Sequence, residues 1–461
     1  MRIHLMDAKK KLLAMAILVT PFIMSIGVNF FGGLGTNGSF YPVIMGVLLW
    51  GGTLFYQRKI DIPSASSFYL LLVFLGISLA SGAVNFFALL DLRFQGVSGI
   101  QRFIIQYAAL MFYFFVGLYV YNVCTNFNED RLRFLERFLL FSFIIPALYS
   151  SMELMFFVGN TNVVDVIRDI DMLFRPEGGV FVGRLRSVTS EPSYLGMYSA
   201  ILFPWLCSLV FRTRGWKKII AVLLFSYFMV INVFTFSRTS YMVLGIEMLF
   251  FLVFFRKSLV QRWKTLLGMV ILAAGILFWG IMSADQLFDV DIGRIYLSLF
   301  TDDEVYDMSN IARYGSASAA LALWKDFPIL GCGFGAFGFY AADYYPDWAW
   351  KSVEIAIWGS NSIYDGVWPP AHNIYARILS ETGIVGLIAW LGAALALLRE
   401  EWSLLQQGVD YMRVCNLFIS TIGIVLCGFN VDAFHLLIYW IIFGVVWSYK
   451  QTLSYSKKVD L

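Results

Sequence analysis

The sequence predicts an all-α polytopic membrane protein of about 12 transmembrane helices, with a large external loop that contains short helices. Three observations predict this class. Of 461 residues, 59% are hydrophobic and 14% charged, against about 45–50% and about 25% in soluble proteins. The apolar residues lie in continuous runs long enough for roughly 20-residue helices to cross a bilayer, without the alternation of barrel strands. Basic residues collect at the ends of these runs on one side, as the positive-inside rule requires. Aromatics at 18%, 11 prolines and five scattered cysteines exclude a disordered, collagenous or disulfide-built chain. A net charge of +3 argues against nucleic acid as a partner.

In chain order, residues 1–158 hold spans at 12–30, 40–56, 68–90, 103–122 and 138–158. Residues 159–192 form an outer loop, 193–284 hold spans at 193–211, 218–236, 239–255 and 265–284, and 285–372 form the large outer loop. Residues 373–461 hold spans at 373–398, 412–429 and 433–449 and a tail. The first run follows Lys9, Lys10 and Lys11 but is long and lacks a small-x-small exit, so it reads as a permanent span. Inside segments carry Arg58/Lys59, Arg131/Arg133/Arg137, Arg212/Arg214/Lys217/Lys218, Arg256/Lys257/Arg262/Lys264, Arg399/Arg413 and Lys450/Lys457/Lys458. In all, 22 of 34 basic residues fall inside although the outside segments are longer, which predicts that both termini are cytoplasmic.

The 12 outside basic residues comprise ten arginines and two lysines, whereas the inside ones divide evenly. Guanidinium binds phosphate with two parallel hydrogen bonds and stays charged near lipid. The outer face therefore suits an anionic, phosphorylated ligand; the competing reading is that each arginine anchors a loop to headgroups or pairs with an acidic neighbour.

Four constellations stand out. Gly183-Arg184-Leu185-Arg186-Ser187 precedes Thr189-Ser190-Glu191-Pro192-Ser193 at the sixth span, where Ser190 and Glu191 either cap a helix or complete an anion site with a base. Phe236-Ser237-Arg238-Thr239-Ser240 fills a tight outer turn that holds Arg238 at the membrane edge, either as a ligand contact or as an anchor. Arg313 opens a helix that ends at Phe327-Pro328, before the glycine-rich Gly331-Cys332-Gly333-Phe334-Gly335-Ala336-Phe337-Gly338, which is neither a dinucleotide nor a P-loop fingerprint. Pro369-Pro370-Ala371-His372-Asn373 enters the tenth span, followed by Arg377 and Glu381, four apart and suited to neutralise one another. His372 is a structural hydrogen bonder or a ligand or catalytic group; His435 with Asp432 is a weaker rival. Glu247 lies within a span, either functional or the buried partner of a polar helix contact. No metal is expected, and Asp302-Asp303-Glu304 reads as a solvated acidic loop.

In this order and on one face, these residues resemble the bacterial O-antigen and exopolysaccharide polymerases (Wzy-type) and ligases of the O-antigen ligase/polymerase superfamily. The resemblance rests on the outward arginines, on Arg313 with Asp326-Phe327-Pro328-Ile329-Leu330-Gly331-Cys332-Gly333-Phe334-Gly335, on His372-Asn373-Ile374-Tyr375 and on Glu381-Thr382-Gly383-Ile384-Val385-Gly386-Leu387. His372 and Gly383 keep the family's spacing of histidine, ten residues, glycine. Ser237-Arg238 matches a serine-arginine turn, although Met242 stands where the family pattern has leucine.

The resemblance implies a type-C glycosyltransferase that uses glycan linked to undecaprenyl pyrophosphate on the periplasmic side of the bacterial inner membrane. Its partners are then that lipid-linked oligosaccharide, the bilayer and a chain-length regulator, with no cofactor. Arg186, Arg238 and Arg313, with Arg294, are expected to grip the pyrophosphate, and Arg184, Asn373 and Arg377 to border it. His372 or Glu191 is expected to accept the proton of an acceptor hydroxyl, and the loop tyrosines and tryptophans to stack on sugars. Polymerase is the preferred reading. Ligase, with lipid A core as acceptor, comes second, and a lipid-linked sugar flippase or transporter third.

Overall fold

The computed structural model describes residues 2–27, 34–58, 61–127, 130–157, 159–175, 183–261, 275, 308–361 and 367–459. About 76% of this is helix; the sheet among the described residues is a hairpin, Arg93–Phe94 paired with Val97–Ser98. In order the helices are α1 (Arg2–Leu18), α2 (Phe40–Gln57), α3 (Ser66–Val84), α4 (Phe86–Asp91), α5 (Gly99–Thr125), α6 (Arg131–Ser142), α7 (Ile144–Phe157), α8 (Val163–Met172) and α9 (Pro192–Arg212). They continue with α10 (Trp216–Val233), α11 (Arg238–Gln261), α12 (Met308–Asp326), α13 (Phe337–Tyr344), α14 (Val353–Gly359), α15 (Ile374–Gln406), α16 (Tyr411–Cys427) and α17 (Leu437–Val459), with a 3-10 turn at Asp347–Lys351. Seven candidate spans among the described residues are long and apolar enough to cross a membrane. The chain is an all-α polytopic membrane protein, and large apolar side chains such as Leu48 and Phe55 stand exposed on its flanks, as lipid contact allows.

Ten of the expected spans coincide with helices, and the ninth, 265–284, lies outside the described residues. The first span is displaced: α1 begins at Arg2, takes in Lys9, Lys10 and Lys11, and ends at Leu18 rather than near residue 30. Pro21 has no amide to continue the helix, and Met24 turns to a φ of +50°. The amide of Gly27 then bonds to the Phe174 carbonyl at 2.7 Å, and the Ile23 carbonyl accepts from the Ser190 amide at 3.2 Å. An apolar stretch thus becomes a layer over one end of the bundle.

Polar residues fix where helices start. Ser98, Asp130, Asn373 and Asp410 each accept a hydrogen bond from an amide of the following first turn, which satisfies donors that a helix start leaves open. Successive crossings then alternate between two ends. At one end Glu136 of α6 receives Arg212 of α9 and, at 2.6 Å, Arg413 of α16. The opposite end gathers the described part of the loop before α9, the turn between α10 and α11, and the segments 308–361 and 367–373. Helices α12 to α14 there have an apolar core of their own, including Ala312, Leu323, Phe337, Ile355 and Trp358.

This layer is joined to the bundle at a break in α15. Gly383 has φ 68° and ψ −171°, and Pro328–Cys332 docks beside it. The Ile384 amide donates to the Pro328 carbonyl and the Cys332 amide to the Ser380 carbonyl, both at 2.9 Å. Asn85 donates to the Gly331 carbonyl at 3.0 Å, and Ser81 to the Glu381 carbonyl at 2.6 Å. The glycine-rich loop is thus a fixed joint.

Candidate active site

The loop before α9 is built on buried charge. Asp171 accepts from Arg175 at 2.8 Å and from Arg186 at 3.3 Å. Arg175 also reaches the carbonyl oxygens of Thr189, at 2.5 Å, and Ser187. The Ser187 amide, in a residue with φ +57°, donates to Glu153 at 2.8 Å. Arg186 is therefore committed to holding the loop in shape. Arg184 points elsewhere, donating at 3.0 Å to the carbonyls of both Thr235 and Phe236. That clamp fixes the turn in front of Arg238, the exposed first residue of α11. A Cβ on Gly196 would lie 2.7 Å from Ser240 Cβ, so α9 and α11 approach closely and their first turns lie side by side.

Glu191 occupies the cap position of α9 without capping it. Pro192 supplies the first helical residue and has no amide to satisfy. The Glu191 carboxylate instead accepts from Ser193 at 3.1 Å and faces Arg313 of α12 at 3.8 Å. Arg184 feels the same pair: burial lowers its proton affinity, the Arg313 cation lowers it further, and Glu191 opposes both.

His372 enters from the segment before α15. The Ala371 amide donates to Asp432 at 2.7 Å, and His372 itself has φ +51°, a conformation uncommon outside glycine. Its ring lies 5.1 Å from that of Trp358. Nε2 is buried and has no hydrogen-bond partner among the described residues. Burial pushes the imidazole down to about 4, with Asp432 opposing, Arg313 adding and Glu191 opposing. His372 is thus neutral at neutral pH, and Arg313, Glu191 and Asp432 all lie near enough to act on its charge.

Residues 219–391 match the family model described as O-antigen ligase. That match, over part of the chain, supports membership of the O-antigen ligase/polymerase superfamily. Members of this superfamily are membrane glycosyltransferase-like enzymes, polymerases or ligases. No curated protein gives a significant match to the chain. The matched stretch contains Arg238, Arg313 and His372, whereas Arg184 and Glu191 precede it.

The structure therefore brings together Arg184, Glu191, Arg313 and His372, and Arg184 bonds to the turn that precedes Arg238. Other expected site residues have different tasks. Arg377 donates to Glu381 at 3.2 Å, to Gln106 at 2.8 Å and to the Asp432 carbonyl at 2.7 Å, which ties α15, α5 and the last turn together. Arg294 lies outside the described residues, as do Asp302, Asp303 and Glu304.

Asn373 caps α15, its side-chain oxygen accepting from the amides of Tyr375 at 3.0 Å and Ala376 at 3.1 Å. Asn373→Ala is expected to lower stability by about 1 kcal/mol, read as a lower melting midpoint in detergent. Asn373→Ser, which keeps a capping oxygen, should melt close to the wild type.

Two residues near the site were not singled out from the sequence, and a third, Asp432, was read only with His435 as a rival site. Asp432 holds the backbone ahead of His372. Tyr194 sits where Glu191, Asp432 and Arg313 all act on it. Glu354 of α14 is acted on by Arg313 and Glu191. No pattern in the sequence marks the last two, because each reaches the site from a different helix.

Proposed function

We propose that this O-antigen ligase/polymerase family member is an O-antigen or exopolysaccharide polymerase. It transfers a growing glycan from undecaprenyl pyrophosphate to a sugar hydroxyl of another lipid-linked repeat unit, on the periplasmic face of the inner membrane, with both termini cytoplasmic. The observation that supports the reading is the gathering of Arg184 and Arg313 with a neutral His372, whose buried Nε2 has no hydrogen-bond partner among the described residues, at the loop-rich end of the bundle.

In this reading the guanidinium groups stabilise charge where it develops. As the acceptor oxygen bonds to the anomeric carbon, the bond from that carbon to the phosphate oxygen breaks and its electron pair leaves with the diphosphate. Charge-assisted hydrogen bonds contribute about 1.5–3 kcal/mol each, and donors aimed at a leaving anion act most strongly in a partly dry site. His372, neutral and with a buried ring nitrogen, accepts the hydroxyl proton; Glu191, turned toward Arg313, is the other candidate base. Attack opposite the leaving group inverts the anomeric centre. Arg186 serves as the loop's internal clamp rather than as part of the grip.

The family description favours a second reading, in which the same donor is used and the acceptor is lipid A core. Purified protein in lipid, supplied only with undecaprenyl-pyrophosphate-linked repeat units and no ion gradient, is expected to produce a ladder of longer lipid-linked glycans. The ladder should disappear in His372→Ala. Transfer that occurs only when lipid A core is added would instead establish a ligase. Movement of lipid-linked sugar across the bilayer without elongation would establish a carrier.

A further inference from the structure

Of the loop aromatics expected to stack on sugars, Trp358 is buried instead, its side chain 7% exposed. Its ring lies 5.1 Å from that of His372, tilted by 46°. Helix α14 holds it there. Ile355 and Trp358 are three positions apart and so share a face of that helix. Ile355 rests on α12, where a Cβ on Gly315 would lie 2.8 Å from its Cδ1, and Trp358 rests on His372. Trp350 packs against the residue that follows, since a Cβ on Gly359 would lie 2.6 Å from its ring. The histidine is fixed from its own side by the Ala371 amide on Asp432 at 2.7 Å and by the Ile374 amide on the Gly428 carbonyl at 2.9 Å. Helix α14 thus bridges the helix that carries Arg313 and the turn that carries His372. Nε2, buried and without a partner among the described residues, gives the imidazole no anchor through that atom, and the indole supplies one by packing.

We propose that Trp358 is a positioning residue for His372: its indole fixes the plane of the imidazole and keeps water from it, so that the ring remains an uncharged proton acceptor. This inference rests on the reading of His372 as the base. A charge on a ring without water or a partner is costly. Burial accordingly holds the imidazole down at about 4, although Asp432 from the last turn and Glu191 from the cap of α9 favour the cation; Arg313 from α12 opposes it. An indole face that served instead to attract an imidazolium would favour the cation. The two roles therefore predict opposite shifts when the indole is removed.

The test compares wild type, Trp358→Ala, Trp358→Leu and Trp358→Phe as full-length proteins in lipid, each below its melting midpoint. The first readout is glycan transfer on lipid-linked repeat units, taken as a ratio to the wild type at each pH so that the titration of the diphosphate cancels. A base must be neutral, so activity falls as pH drops through its midpoint. Removing the indole is expected to raise that midpoint from about 4 by about one to two units, toward the ordinary histidine value of about 6.5. Trp358→Ala should then lose about two- to tenfold more activity near about pH 5 than near about pH 8, in kcat rather than KM. Trp358→Leu keeps apolar bulk on α14 and should shift in the same direction by less, and Trp358→Phe should titrate like the wild type. The second readout needs no substrate: carbethoxylation of the neutral imidazole by diethyl pyrocarbonate, located at His372 by peptide mass spectrometry, should be severalfold faster in Trp358→Ala. A midpoint that stays or falls in the alanine and leucine variants, or a modification rate that stays, overturns the assignment of Trp358 and leaves His372 as the base. Transfer that survives in His372→Ala removes the base, and the proposal with it.

Discussion

Replacing Arg313 with alanine is expected to lower glycan transfer by roughly 10²–10³-fold, the loss typical of removing one preorganised donor from a developing anion, while the protein folds normally. The expectation of normal folding follows from how the side chain is held. Arg313 is 26% exposed and, among the described residues, makes one loose ion pair, to a Glu191 that is itself exposed. Helix α12 is anchored by other residues, with Ala312, Ala319, Ala320 and Leu323 buried in its core. Arg313→Lys keeps the charge but loses the planar two-pronged geometry, and should fall between the wild type and alanine. Arg377→Ala provides the contrast, since its guanidinium joins three elements and its loss should unfold the joint and reduce activity indirectly. Rates on lipid-linked substrate measured beside melting curves separate the two cases. A near-wild-type rate in a well-folded Arg313→Ala protein would remove Arg313 from the mechanism.

The bundle was legible because hydrocarbon thickness imposes a length on every crossing, and continuous apolar runs such as Ser66–Val84, Gly99–Thr125 and Pro192–Arg212 obey it. The first run did not, because hydropathy ignores the missing amide of Pro21, and the residues after it are buried by loops rather than by lipid. At the site, the sequence placed Arg184, Arg238, Arg313 and His372 on one face, and Arg184 and His372 both lie near Arg313 and Glu191. It did not separate Arg184 from Arg186. The two differ by two positions, yet one donates to carbonyls of a distant turn and the other to Asp171, fifteen residues earlier in the chain. Asn373 shows the same limit: a polar residue before a span is equally suited to capping and to ligand contact until the positions of the following amides are known. Patterns along a chain report which environment a residue prefers, whereas the partner within that environment is set by tertiary contacts.

Gly383 is where local chemistry and site geometry meet, and Gly383→Ala is expected to be the most damaging small substitution in the bundle. Its φ of 68° with ψ of −171° lies in a region essentially restricted to glycine, where a side chain costs on the order of 1–3 kcal/mol. The added methyl would also meet backbone: it would lie 2.0 Å from the Ile329 carbonyl oxygen and 2.6 Å from the Leu330 amide nitrogen. Neither can rotate aside, so the docked loop Pro328–Cys332 must move, adding roughly another 1–3 kcal/mol as overpacking does. Gly392 on the same helix is the control, because a methyl there meets only Leu70 side-chain atoms at 3.6 and 3.7 Å, and alanine favours a helix interior over glycine by about 1 kcal/mol. Gly392→Ala should therefore melt at or slightly above the wild-type temperature, and Gly383→Ala well below it. Activity should follow for a geometric reason. The joint at Gly383 seats the layer that carries Arg313, while the start of α15, three turns away, carries His372; a displaced loop shifts one against the other. An alanine variant that melts like the wild type would show that the break in α15 is not held by the docked loop, and the spacing between His372 and Gly383 would then need a different physical cause.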